Sequence, residues 1–213
     1  WQDTIKALSK AGYRVIAPDQ IGFCSSTKPA HYQYSFQQLA QNTHGLLQNL
    51  KISKAIVIGH STGGMLATRY SLMYPQAVEQ LVMVNPIGLE DWKAKGVPWR
   101  SVDQWFAREL NTTAEGIRNY EQRTYYGGRW KPEYDRWVDM LAGLNNGPGH
   151  RLVAWNSALI YDMIFTQPVY YEFKDLQTPT TLMIGTADTT AIGSDIAPPA
   201  VKDRIRHYAG LGK

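Results

Sequence analysis

Apolar positions along the chain alternate between two periods. Trp1, Ile5 and Leu8 recur at the spacing of one helix face, and Gly12 marks where that helix stops. "YRVIAP", residues 13–18, is a short β-rich run closed by Pro18 and predicts a buried strand. "DQIGFCSSTKP", 19–29, is a turn-rich loop. Ser35, with Gln38 three positions on, reads as a capping box; it opens a helix with Phe36, Leu39, Ala40, Leu46, Leu47 and Leu50 on one face. "KAIVIG", 54–59, predicts a second buried strand. "TGGMLATRYSLMY", 62–74, predicts a helix stopped before Pro75, and "QLVMVN", 80–85, a third strand. Near-continuous apolar strands alternating with helices predict an α/β fold, with a mostly parallel sheet covered by helices on both faces.

From about Gly88 to Phe173 the pattern changes. Strand-like runs vanish, and helical spacing recurs over 101–110, 113–125, 131–144 and 150–165. Trp92, Trp99, Trp105, Trp130, Trp137 and Trp155 lie here among many tyrosines. The stretch reads as an all-helical insertion whose aromatics are mostly its own core, with a minority lining a pocket. "TTLMIG", 180–185, restores the strand pattern, and "PPAVKDRIRHYA" follows as a helix opened by prolines. The domain reading is therefore 1–87 for the first part of the α/β core, 88–173 for the insertion and 174–213 for the second part of the core.

Composition narrows the function classes. A chain of 213 residues, 44% hydrophobic and 19% charged, is long and apolar enough for one sizeable core. No apolar run approaches the roughly 18 residues of a membrane span. The net charge of +4 is spread without a Lys/Arg block, so it reads as solubilising charge rather than a nucleic-acid-binding patch. The single cysteine, Cys24, excludes an internal disulfide and a cysteine-rich metal site.

The chemistry concentrates in Gly59-His60-Ser61-Thr62-Gly63, a Gly-x-Ser-x-Gly between a strand and a helix. Such a turn is sharp, and it holds its serine in strained backbone geometry. Gly59 and Gly63 are expected to let neighbouring chain approach without Cβ clashes. The serine oxygen then stands clear at the carboxyl end of the sheet, where open parallel sheets bind ligands. The amide of Thr62, at the start of the following helix, can donate to a developing oxyanion.

On these residues the chain resembles the α/β-hydrolase fold superfamily, and within it the capped serine hydrolases. "GHSTGG" is similar to that superfamily's nucleophile elbow. "GYRVIAPDQIGFCSS" resembles the strand and loop before it, with Asp19 and Gly22 matching and Cys24 standing where a glycine is common. "TPTTLMIGTADTTA" resembles the strand and turn that present the acid of the triad. The resemblance covers essentially the whole chain and places 88–173 as a cap. It nominates Ser61 as nucleophile and Asp188, three residues past Gly185, as acid. Asp195 is the nearest competitor, and Glu90 or Asp91 would serve if the acid followed the third strand, as in some relatives.

None of the five histidines is read as the base. His60 leaves the elbow in another direction, His44 is placed on an exposed helix side, and His31 lies in a polar loop. His150 opens an insertion helix, and His207 falls in the helix after the acid turn. The resemblance puts the base beyond one more strand, and the first strands, with the second oxyanion amide, before Trp1. The chain is accordingly expected to be a fragment of a longer protein, poorly stable and nearly inactive alone. For the parent, the resemblance implies a Ser-Asp-His hydrolase of an ester or related carbonyl bond in a small to medium apolar substrate. No metal or organic cofactor is implied, and the partner is that small molecule. A serine nucleophile argues against the dehalogenases and epoxide hydrolases of the superfamily, which use aspartate there. The same triad also serves carbon–carbon bond hydrolases, aminopeptidases and cofactor-free peroxidases, and the same fold serves ligand-binding receptors. No signal peptide is visible; the cytoplasm is favoured, with secretion or a periplasm open because the start is expected to lie outside the chain.

Overall fold

The structure, a computed structural model, describes residues 1–205 and 207–212. The chain divides into two compact units, Trp1–Tyr32 and Gln33–Lys213. In the first, helix α1 (Gln2–Lys10) has Asp3 in its opening turn and Lys10 in its last, each complementing the helix dipole. Gly12 follows in the left-handed region, at φ 92°, and stops the helix as expected. The run 13–18 forms no strand. A strand exists only through ladder bonds to a neighbour, and an apolar run specifies a wish for burial, not a partner. The loop after it is organised by Asp19, whose Oδ2 accepts from Ser25 N at 3.0 Å and whose carbonyl accepts from Ser26 Oγ at 2.7 Å. Cys24 sits there at φ 44°, a conformation that glycine adopts without Cβ strain.

In the second unit, α2 (Phe36–Asn49) is capped by Ser35, whose hydroxyl accepts from Gln38 N at 3.0 Å. The Gln38 side chain donates onward to Gln41 and Asn42. Phe36, Leu39, Ala40 and Leu47 are buried as expected, whereas Leu46 and Leu50 are exposed. Leu46 lies at the rim of the apolar stripe, and Leu50 is already the C-cap.

Three strands follow: β1 (Ala55–Ser61), β2 (Val78–Pro86) and β3 (Thr180–Met183). They pair in the order β1-β2-β3, all parallel. Helix α3 (Thr62–Met73) crosses from β1 to β2. Its Ala67 packs with Leu81 and Met83, against Val57, Leu182 and the Phe173 and Leu176 side chains. Burial on both sheet faces was expected from the strand composition. Within this unit Ile56, Ile58 and Met183 are exposed, because α3 and the segment around 173–176 cover the opposite face.

Between β2 and β3 the expected helices form without any strand: α4 (Val102–Leu110), α5 (Ala114–Thr124), α6 (Asp135–Asn146) and α7 (His150–Thr166). A complete capping box of Ser101 and Gln104 opens α4. α4 packs on α7, with Trp105 stacked on Tyr161 at 4.2 Å and Arg100 over the Trp105 ring at 4.4 Å. α8 (Pro199–Ile205) and a 3-10 stretch, Tyr208–Gly212, close the described chain. Among the described residues no helix is long and apolar enough to cross a membrane.

Candidate functional site

Ser61 ends β1 and is the N-cap of α3, with φ 54° and ψ −123°. A non-glycine residue with positive φ outside the usual left-handed well is strained, and such strain persists only where surrounding contacts fix it. Two contacts do so. The Ser61 carbonyl accepts from Ile87 N at 3.1 Å. The turn is also closed so tightly that a Cβ on Gly59 would lie 2.2 Å from the Gly63 carbonyl oxygen and 2.8 Å from Ala67 Cβ.

The expectation for Gly63 itself needs correction. A Cβ on Gly63 would meet nothing within 4 Å, whereas one on Gly64 would lie 2.4 Å from Pro86 Cβ. The helix therefore approaches β2 through Gly64, a contact between elements that the five-residue motif does not describe. Thr62 is the first residue of α3, so its N–H has no acceptor within the helix and stands beside Ser61.

Asp188 lies five residues past the end of β3, at the same carboxyl end of the sheet as Ser61. Its Oδ1 accepts from Thr190 N at 2.8 Å, the turn-capping contact that aspartate makes readily. Its Oδ2 accepts from Asn85 Nδ2, also at 2.8 Å. Asn85 was not singled out from sequence. The available signal was a polar side chain closing the apolar run "QLVMVN" directly before a proline.

The competing acids have other work. The Glu90 carboxylate accepts from Trp92 Nε1 and pairs with Lys95. Asp91 accepts from Ala94 N at 3.1 Å and from Tyr171 Oη at 2.9 Å. Asp195 pairs with Arg100 at 2.6 Å and faces Arg108 at 3.7 Å. Burial pushes the Asp195 carboxyl up, but the hydrogen bond and charge of Arg100, with Arg108, outweigh it and hold the group below its ordinary range.

The histidines are distributed differently from the sequence reading in two cases. His44 is not on an exposed side: its ring stacks on Tyr74 at 3.9 Å, and Nδ1 lies 3.2 Å from Tyr70 Oη. His207 lies outside α8, which ends at Ile205, and is exposed. His31 is exposed, at φ 59°. His150 opens α7, with Nε2 3.4 Å from the Leu110 carbonyl. His60 precedes Ser61 on β1; partial burial lowers its imidazole pKa against the opposing pull of Asp188. Among the described residues no group of three or more His, Cys, Asp or Glu stands together as a metal site.

A strained serine at a strand–helix turn, on a parallel sheet with a long helical stretch between β2 and β3, defines a class. The alpha/beta hydrolase fold family matches residues 1–191, and the chain belongs to it. A crystal structure of a "probable hydrolytic enzyme" from Pseudomonas aeruginosa PAO1 is 67% identical, with a TM-score of 0.96 over all of this chain and 68% of that one. AB hydrolase superfamily protein YfhM of Bacillus subtilis is 42% identical over 86 residues, 40% of this chain and 30% of that protein. The 2-hydroxy-6-oxo-2,4-heptadienoate hydrolase of Pseudomonas putida F1 is 26% identical over 161 residues, 67% of this chain and 58% of its own length. The chain thus spans less than two thirds of these two curated relatives.

Proposed function

We propose that the whole protein is a serine hydrolase acting by acyl transfer to water. Ser61 Oγ attacks the carbonyl carbon of a small to medium apolar ester or related substrate and passes its proton to a histidine outside these 213 residues. Asp188 orients that histidine and stabilises its protonated form. The Thr62 amide donates to the oxyanion. The protonated histidine returns its proton to the departing group; water, deprotonated by the same base, then attacks the acyl carbon, and Ser61 Oγ leaves carrying that proton. The observation that carries the reading is the strained, positive-φ backbone of Ser61, fixed at the carboxyl end of β1. A backbone held out of its relaxed region at a helix start is the geometry an exposed nucleophile needs.

The test is labelling of the whole protein with a fluorophosphonate, alongside p-nitrophenyl ester turnover by the wild type and Ser61→Ala. Stoichiometric adduct on Ser61, and turnover lost by about 10⁴-fold or more in the variant, are expected. An unlabelled, inactive protein that still binds apolar ligands would make it a receptor on this fold.

A second reading, hydrolysis of a carbon–carbon bond in a ring-fission ketone, draws on the relatives' names. Besides the heptadienoate hydrolase, a meta-cleavage product hydrolase (CumD variant) is 25% identical, with a TM-score of 0.67 over 96% of this chain. Dienoate ketones in the same assay separate the two. Relatives named epoxide hydrolases also match, bifunctional epoxide hydrolase 2 of Sus scrofa at 36% over 86 residues. By the superfamily resemblance, Ser61 in place of an aspartate weighs against that chemistry here.

A further inference from the structure

The pairing of β1 with β2 is irregular at two points, between Ala55 and Ile56 and again between His60 and Ser61. Gly59 pairs with Met83 and His60 with Val84, but Ser61 pairs with Pro86. Asn85 is therefore the extra residue of a β-bulge, one position before Pro86, the partner of Ser61. It takes the left-handed conformation, at φ 40°, which asparagine tolerates better than most residues. Bulges re-aim side chains at the rims of sheets, and this one has a defined target. The Asn85 amide nitrogen reaches across to Asp188 Oδ2 at 2.8 Å. Gly185 lies alongside: a Cβ there would sit 3.4 Å from that nitrogen, at ordinary contact.

The two carboxylate oxygens of Asp188 are held by different means. The bond from Thr190 N is local, two residues away, and would form in any tight turn of this kind. The bond from Asn85 spans 103 residues and ties the acid loop to the strand that flanks the nucleophile. A carboxylate only accepts hydrogen bonds, so the amide presents its donor end. With Oδ1 and Oδ2 both anchored, rotation of the carboxylate about its own bond is blocked, and the remaining lone pairs point in a fixed direction.

We infer that Asn85, carried on the β-bulge of β2, is a positioning residue that fixes the Asp188 carboxylate for its work on the base. The inference rests on the serine-hydrolase reading above. It makes no contact with substrate a requirement; Asn85 acts through Asp188, so its loss lowers kcat and leaves KM nearly unchanged.

The test uses the whole protein and p-nitrophenyl esters, with Asn85→Gly and Asn85→Asp measured in the wild-type and Asp188→Ala backgrounds. Glycine relieves the left-handed backbone while removing the amide. Aspartate keeps the shape and the backbone tolerance and removes the donor, so it serves if the glycine variant folds poorly; thermal melts report folding. In the wild-type background both variants are expected to lower kcat by about 10–100-fold, as loss of an orienting partner does elsewhere, with KM within about twofold. In the Asp188→Ala background neither should lower kcat further, because the group through which Asn85 acts is gone. Full turnover in both Asn85 variants, with Ser61→Ala inactive and Asp188→Ala strongly impaired but measurable, would overturn the positioning role and leave the hydrolase reading standing. Losses that add to that of Asp188→Ala would overturn it too, since Asn85 would then act through the fold at large. Unimpaired turnover in Ser61→Ala would remove the hydrolase reading, and the role of Asn85 with it.

Discussion

The glycines of the elbow allow a discriminating test of how the turn is built. Consider alanine at Gly59, Gly63 and Gly64 in turn. At Gly59 the new methyl would sit 2.2 Å from a backbone carbonyl oxygen and 2.5 Å from its carbon, about 1 Å inside ordinary contact. Neither atom belongs to a side chain that could rotate away, so the strand and the helix must part. That separation also loosens Ala67, 4% exposed, from Leu81 and Met83. Overpacking of this kind costs about 3 kcal/mol. At Gly64 the obstacle is Pro86, with Cβ at 2.4 Å and Cα at 3.0 Å; the ring is rigid, so a cost of about 2–3 kcal/mol follows, and it falls on the strand end beside the bulge. At Gly63 there is nothing within 4 Å, and the position lies in the first turn of α3. Replacing glycine there should be neutral or stabilising by up to about 0.5 kcal/mol. For a protein of this size about 1 kcal/mol moves the melting temperature by roughly 2–4 °C. Gly59→Ala and Gly64→Ala should therefore melt roughly 5–12 °C low by circular dichroism, and Gly63→Ala at or slightly above wild type. A Gly63→Ala variant as unstable as Gly59→Ala would refute the reasoning, because the motif's two glycines would then be equivalent.

Other substitutions probe the supports around the site. Glu172 accepts both guanidinium arms of Arg69, and the Arg69 hydrogen bond holds its carboxyl below the ordinary glutamate range despite some desolvation. A folded value below the unfolded one means stabilisation that is present above about pH 4.3 and lost as pH falls through the folded value. Glu172→Gln should cost about 1–2 kcal/mol in urea melts at pH 7, discounted for the half-exposed carboxylate, and flatten the acid limb of the stability curve. Trp105, 4% exposed between Tyr161 and Arg100, should cost about 3–5 kcal/mol when changed to alanine, with the loss of α4–α7 packing seen as reduced near-ultraviolet circular dichroism. Ser61→Gly should raise stability by about 1 kcal/mol, since glycine takes a positive-φ backbone of this kind freely, while abolishing ester turnover.

Much of the fold is legible because its local and global preferences agree. The four helices between β2 and β3 start and stop within a few residues of the expected windows, since period, caps and breakers coincide there. The run 13–18 was misread because apolar β-branched residues describe a surface and say nothing of the strand that must lie beside it. His44 was misread for a related reason. A polar residue opposite Leu46 and Leu47 was assigned to solvent, but Tyr70 on α3 and Tyr74, its C-cap, offer it a hydrogen bond and a stacking face. Both errors concern partners distant in sequence, which periodicity cannot name.

The candidate site shows the same division more sharply. Ser61 and Thr62 were readable because their geometry is produced within a strand–turn–helix of contiguous residues, whose consequences the motif summarises. Asp188 could be nominated from sequence because it sits in a short turn after a recognisable strand. What joins them was not readable: Gly64 against Pro86, the extra residue of β2 at Asn85, and the bond from Asn85 to Asp188 are contacts between three separate segments. A parallel sheet brings the carboxyl ends of its strands to one edge automatically, so each strand can deliver one group there. Alignment within that edge depends on details smaller than one residue of register. Here one added residue in β2 brings a side chain against the next strand's loop, where the Asn85 amide donates to the Asp188 carboxylate, a contact that the motif does not describe.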